Sequence, residues 1–165
     1  MKMIRIMRHA KSDWSRPSLR DVDRPLNKRG RRDAPRMGRW MREHGSTPGL
    51  VISSPALRAR ETAEAVCAAM GYGGEVRFRD ELYPGSFWTT FEVLASLPPD
   101  VDHVLLIGHN PHLESLVSAL AAGGRLQLKL PTAAVALLEC DVEGWAGAGE
   151  RSAVLRGLVT PKLLV

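Results

Sequence analysis

The sequence is expected to fold as an α/β protein around a mainly parallel central sheet, on three observations. Short apolar runs of strand character alternate with helix-length segments through the first 120 residues. Residues with capping and stopping chemistry punctuate those segments. No internal repeat, low-complexity tract or second boundary interrupts the 165 residues, so one domain spanning 1–165 is expected.

Lys2 to Met7 carries Met3, Ile4, Ile6 and Met7 and reads as the first strand. Ala10 to Leu26 is polar and broken by Pro17 and Pro25. It is too irregular for a helix and long enough to be functional. Asn27 is placed to cap a helix reaching about His44, where Gly45 stops it. Pro35 inside that span is expected to kink or split it. Leu50 to Ser53 reads as a buried strand, and Ser54-Pro55 as a helix start, with serine the N-cap and proline in the first helical position. The Ala-rich helix that follows, Ala56 to about Met70, ends at Gly71. Val76 to Arg79 is a third strand, followed by a turn at Tyr83-Pro84-Gly85 and a helix from Trp88 to Leu97. His103 to Ile107 is the clearest buried strand, and Leu113 to Ala122 the next helix. Val135 to Cys140 and Ser152 to Leu158 close the series as strands, joined by a Gly-rich loop from Glu143 to Glu150.

Composition narrows the class. Apolar residues make up 44% and charged residues 25%, as in ordinary globular proteins. Met1 to Met7 is too short for a secretory apolar region, and no run approaches the roughly 20 apolar residues of a membrane span. A cytoplasmic location is expected. Cys67 and Cys140 sit in apolar surroundings without CxxC spacing, which suggests neither a disulfide framework nor zinc. The net charge of +5 is uneven: residues 1–42 hold 14 Lys or Arg against 4 Asp, a local +10. Such a field draws in a phosphorylated substrate or a polyanion. The competing reading is a solvated helix, since Arg29, Arg32, Arg36 and Arg39 recur at spacings of three and four.

Three strand ends carry the chemistry. Arg8-His9-Ala10 follows the first, Ser53-Ser54-Pro55 with Arg58 the second, and Gly108-His109-Asn110-Pro111 the run that ends at Ile107. Ligands of open parallel sheets bind at the carboxyl ends of strands, so two histidines and two arginines are expected along one edge. Arg58 lies in the first turn of its helix and leans back toward the helix N-terminus, which already favours an anion. Arg8 and Arg58 would clamp phosphoryl oxygens with forked donors that lysine cannot reproduce.

On these residues the chain resembles the histidine phosphatase (phosphoglycerate-mutase-like) superfamily. Its signature is Arg-His-Gly after the first strand, then Ser-x-x-x-Arg, then a late Gly-His. Here these stand as Arg8-His9-Ala10, Ser54 to Arg58 within Ser54-Pro55-Ala56-Leu57-Arg58-Ala59-Arg60-Glu61-Thr62, and Gly108-His109. The short length and the segment Asp23 to Gly30 are most similar to the SixA-type phosphohistidine phosphatases, and the resemblance covers Ile4 to about Leu138. It implies a three-layer α/β/α sandwich and a phosphatase acting on phosphoric monoesters or on protein phosphohistidine. In that reading His9 becomes transiently phosphorylated. Arg8, Arg58 and His109 hold the phosphoryl oxygens, and Glu81 of Asp80-Glu81-Leu82-Tyr83 is the general acid where the substrate is an ester. His9 must be neutral to attack, with one ring N–H tied to a backbone carbonyl.

Two departures from the family pattern bear on substrate identity. Ala10 replaces the glycine, and Ser15 stands where many members carry a phosphoryl-binding asparagine. Lys11, Ser12, Ser15 and Asn110 are therefore candidates for substrate contact. Arg24 and Arg20 either receive the non-reacting part of a substrate or pair with Asp21 and Asp23. Trp14, beside the nucleophile, is the tryptophan best placed to line the mouth of the site.

No metal or cofactor is expected. His103, His109 and His112 would straddle a strand and a proline turn without an acidic neighbour, which is not a ligand set. The substrate is expected to be a phosphorylated protein or a small phosphate ester, with no nucleic acid and no membrane. A binding module that uses the basic N-terminal region to hold polyanions, nucleic acid or phosphoproteins is the alternative. The presence of both histidines and both arginines favours catalysis.

Overall fold

The apolar runs pair into one six-stranded sheet. In the computed structural model, which describes every residue except Ser46 and Val165, the strands are β1 (Lys2–Arg8), β2 (Leu50–Ser53), β3 (Val76–Phe78), β4 (His103–Gly108), β5 (Val135–Cys140) and β6 (Ala153–Val159). Their order is β3-β2-β4-β1-β5-β6. The three pairings from β3 to β1 are parallel, and β5 runs antiparallel to both β1 and β6. The sheet is mixed and mostly parallel.

Four helices cover it: α1 (Lys28–Glu43), α2 (Leu57–Met70), α3 (Phe87–Ala95) and α4 (His112–Ala122). The strand period of two sorts β4 between two cores. Val104 and Leu106 pack with Leu113, Leu116, Val117 and Leu120 of α4 and with Val93 and Leu94 of α3. Leu105 and Ile107 pack on the opposite face with Met37 and Met41 of α1 and with Ala63 and Val66 of α2. With helices on both faces, the uninterrupted apolar sequence of β4 follows. The architecture is the α/β/α sandwich that the resemblance implied.

Asn27 caps α1 as expected, its side chain accepting the Gly30 N–H at 2.9 Å. Pro35 does not split the helix, contrary to the sequence reading: α1 runs unbroken through it. Proline lacks the N–H that would reach the Arg31 carbonyl, a bond the helix does without. Packing of Ala34, Met37 and Met41 into the core holds the rest. Gly38 permits α1 to lie against α2, since a Cβ there would sit 2.5 Å from the Val66 carbonyl oxygen. The helix α2 starts later than the Ser54-Pro55 signal suggested. Its N-cap is Ala56, and Ser54 Oγ accepts the Ala56 N–H at 3.2 Å in the approach to the helix. Among the described residues no helix is long and apolar enough to cross a membrane.

Candidate active site

Register, not sequence proximity, assembles the site. Arg8 pairs with Gly108 across β1 and β4, and Ser53 with Ile107 across β2 and β4. The backbone then continues the pairing past the strand ends: His9 N–H donates to the Gly108 carbonyl at 3.0 Å, and Ser54 N–H to the Ile107 carbonyl at 3.0 Å. Three carboxyl ends are thereby level, with β4 in the middle. His9 and His109 lie with ring centroids 5.1 Å apart.

His9 is 7% exposed. Its Nδ1 lies 2.7 Å from the Ala10 carbonyl oxygen, which can only accept, so Nδ1 carries the proton and Nε2 has its lone pair free. The Ala10 N–H is itself anchored to Thr62 Oγ1 at 3.0 Å, and the Thr62 hydroxyl donates to the Arg58 carbonyl at 2.6 Å. Behind His9, Ala133 donates its N–H to the carbonyls of both Arg8 and His9, at 3.1 Å each. Ala133 holds φ of +62° to do so, a conformation that costs a non-glycine residue about 1 kcal/mol. The Ala10 methyl group is fully buried beside α1 and α2, which accounts for alanine in place of the family glycine.

Burial pushes the His9 imidazole down to about 3, and the charges of Arg58, Arg8 and Arg24 add to that; the hydrogen bond to Ala10 opposes it. His109 is likewise pushed down to about 3 by burial, then by His9 and Arg58. Both rings are neutral at physiological pH. Ser54 Oγ accepts the Ala56 N–H at 3.2 Å and lies 2.7 Å from His109 Nε2, which leaves Nδ1 as the ring nitrogen of His109 without a protein partner.

Around these rings stand three guanidinium groups. Arg8 donates to the Leu130 carbonyl at 3.2 Å. Arg58 donates Nη1 to the Asp21 carbonyl at 2.8 Å and Nη2 to Asp21 Oδ2 at 3.0 Å. Arg24 donates to Ser12 Oγ and, at 2.8 Å, to Asp21 Oδ1, while its guanidinium carbon stacks 3.6 Å from the Trp14 ring centre. The Nε atoms of Arg8, Arg24 and Arg58 and the Nδ1 of His109 are buried with no protein partner. Buried donors in native proteins almost always find acceptors. A tetrahedral oxyanion has the acceptors that this set of donors needs.

Asp21 and Tyr83 belong to the centre although sequence reasoning gave neither a role in it. Asp21 ties together Arg24, Arg58 and the Tyr83 hydroxyl, which donates to Oδ2 at 2.8 Å. Burial works against its charge, but the bonds from Arg24 and Tyr83 and the charge of Arg58 hold the carboxyl well below the usual range. The Tyr83 ring is 5.6 Å from His109. Asp21 and Arg24 stand three apart in a loop, a spacing that reads equally as a surface pair.

Two expected contributors are bonded to other groups. Glu81 lies in the exposed turn Asp80–Leu82, where Arg79 binds both its oxygens at 2.7 and 3.2 Å. That bonding holds its carboxyl below the ordinary range, the reverse of what a general acid requires. Ser15 is exposed in a turn closed by its own N–H to Asp13 Oδ1 at 2.7 Å. Ser12 is buried and serves Arg24; Lys11 is half-buried. Asn110 donates to Glu114 at 3.0 Å and to the Leu130 carbonyl at 2.9 Å, so it braces the segment that receives Arg8. Exposed Arg20 pairs with half-buried Asp23 at 2.6 Å, outside the cluster. No group of three or more metal-ligating side chains occurs among the described residues.

Comparison with known proteins decides the family. The model of the histidine phosphatase superfamily (branch 1) matches residues 4–84. An uncharacterized chloroplastic protein of Arabidopsis thaliana is 34% identical, with 94% of this chain and 76% of that one covered. An uncharacterized protein of Mycobacterium tuberculosis is 33% identical, over 94% of this chain and all of its own. The chain belongs to the histidine phosphatase superfamily. Within the superfamily its likeness is to SixA-type proteins. The structure of the protein histidine phosphatase SixA with tungstate matches with TM-score 0.85 at 25% identity, covering 99% of each chain. The protein named SixA from Nakamurella multipartitia matches at 0.82 and 31%, covering 97% of this chain and 96% of that one. Membership supports phosphatase activity for this histidine phosphatase.

The depressed imidazoles have a consequence for stability. His9 and His109 sit at about 3 and His103 at about 4, against 6.5 for a free histidine. Between those values the unfolded chain binds protons that the folded one excludes, so stability rises with pH and levels off above about 6.5. Each buried ring is worth on the order of 1–2 kcal/mol of lost stability by pH 5. A thermal melt is expected to fall by on the order of 10 °C from pH 7 to pH 5 and to be flat from 7 to 8. A melt unchanged down to pH 5 would place these rings in solvent.

Proposed function

We propose that this histidine phosphatase hydrolyses phosphohistidine in proteins, through a phosphoryl group carried transiently on His9 Nε2. The observation that carries the reading is one unprotonated, unbonded imidazole nitrogen beside buried cationic donors that lack protein acceptors. Nε2 attacks phosphorus in line, and the bond from phosphorus to the leaving nitrogen breaks. Arg8, Arg58 and the Nδ1–H of His109 take the three equatorial oxygens, where charge gathers in the transition state. The leaving imidazole acquires its proton from solvent. Water then attacks the phosphorus on His9, which releases inorganic phosphate and restores the neutral ring.

The character of the carboxylates favours a phosphoramidate over an ester. Asp21 and Glu81 are both held ionised by arginines, so neither is ready to protonate an alkoxide. Imidazole leaves without such help. A tungstate-bound SixA among the similar structures suits a centre built for a tetrahedral oxyanion.

The test compares a phosphohistidine-bearing protein with a generic phosphate ester. Turnover of phosphohistidine is expected to exceed that of the ester, to persist in chelator and to be inhibited by orthovanadate, which adopts the five-coordinate geometry of the transfer. Glu81→Gln is expected to change either rate by less than about threefold. Loss of activity in chelator would overturn the metal-independent route, and a selective collapse of ester hydrolysis in Glu81→Gln would restore that residue as the acid.

A further inference from the structure

Beside the catalytic centre, a second cluster of cations faces a cleft of about 360 Å³. It is bounded by Arg29, Arg32 and Arg36 of α1, by Lys162, and by Thr132 and Thr160. Asp33 is the sole carboxylate of the lining and is 2% exposed; it receives Arg32 at 3.0 Å and Arg29 at 3.4 Å. Four cations against one anion leave the lining at +3. Arg36 and Lys162 have no carboxylate within ion-pair reach among the described residues. A buried aspartate that orients two arginines while two further cations stay unpaired is an arrangement for an external anion.

The cleft is continuous with the catalytic machinery through two backbone links. Thr132 precedes Ala133, the residue whose N–H holds the carbonyls of Arg8 and His9. In the same N-terminal turns of α1, between Arg29 and Arg32, Gly30 presses on the loop after His9: a Cβ there would lie 2.2 Å from the Lys11 carbonyl oxygen. The lining is therefore one residue removed from a backbone contact of His9.

We propose that this basic cleft docks an acidic segment flanking the phosphorylated residue of a protein substrate. The inference rests on the phosphatase reading above and names the partner of that same site. The chemistry selects polypeptide carboxylates. Forked guanidinium donors match them, threonine hydroxyls add neutral donors, and the volume admits one or two acidic side chains. No lining residue is aromatic, so the stacking platform that single-stranded nucleic acid uses is missing. Aspartates or glutamates beside the phosphorylated residue thus lower KM by holding the substrate, without entering the chemical step.

The test separates docking from catalysis by measuring binding first. A fluorescein-labelled, unphosphorylated glutamate-rich peptide is titrated with wild type and with Arg36→Glu/Lys162→Glu, reading anisotropy at 50 and 300 mM salt. Binding to wild type is expected to weaken at high salt, and to weaken about tenfold or more in the double variant. Arg36→Gln/Lys162→Gln, with less charge change, is expected to fall between them. Phosphohistidine peptides with a glutamate or a glutamine flank then report the kinetic effect. KM of the acidic peptide is expected to rise about tenfold in the reversed variant, with kcat and ester hydrolysis within about twofold of wild type. Unchanged anisotropy in both variants would overturn the proposal, as would equal KM changes on the two flanks. So would an oligonucleotide that binds more tightly than the peptide with the same dependence on Arg36 and Lys162. If neither peptide is hydrolysed yet acidic peptide still binds, the phosphatase reading fails and the docking surface stands.

Discussion

His9→Ala is expected to reduce turnover of a phosphohistidine protein by about 10^4-fold or more, the scale of loss when a nucleophile is removed. Nε2 of His9 combines a free lone pair with a neutral ring, because Nδ1 is committed to the Ala10 carbonyl and burial with three guanidinium groups expels the proton. His109 is also neutral, but the Ser54 hydroxyl occupies its Nε2. Acid-labile, base-stable label from a radioactive phosphoryl donor is therefore expected on His9 in wild type and absent in the variant. Wild-type turnover by the alanine protein, or label found on His109, would reassign the nucleophile.

Arg58→Lys carries the second large effect, an expected loss of about 10^2–10^3 in kcat with the fold intact. Lysine preserves the charge, so a purely electrostatic role would survive it. What it cannot preserve is the fork. Two Arg58 nitrogens are spent on the Asp21 carbonyl and carboxylate, which fixes the plane of the guanidinium and leaves Nε buried and unpaired. A single ammonium can satisfy Asp21 or the phosphoryl group, with geometry for only one of them. Single-turnover measurement separates phosphorylation of His9 from its hydrolysis, and both steps are expected to slow. A lysine variant within threefold of wild type would mean that charge alone matters at this position.

The aspartate behind that argument shows where sequence reading stops. Asp21 looks like a surface residue of a polar loop, three positions from an arginine. In the fold it is the bond that joins Arg24 of the loop to Arg58 of α2 and to Tyr83 beyond β3. No signal in the chain links residues 37 and 62 positions apart. Glu81 is the complementary case. Its place after the third strand was legible, but Arg79, two residues earlier, turns it outward and keeps it ionised. Pro35 shows the same limit in a helix: local propensity argues for a break, and burial of Met37 and Met41 overrides it.

Strand character, the alternation of elements, the cap at Asn27, and the placement of Arg8, His9, Arg58 and His109 at strand or helix ends were all written in the chain, because they depend on near neighbours and on side-chain period. The level alignment of three strand ends, the neutrality of both imidazoles, the strap formed by Asp21 and the cleft between α1 and Lys162 were decided by tertiary structure alone. Register, burial and charge at a distance arise only when segments far apart in sequence pack together, and each of those four features is made of such contacts.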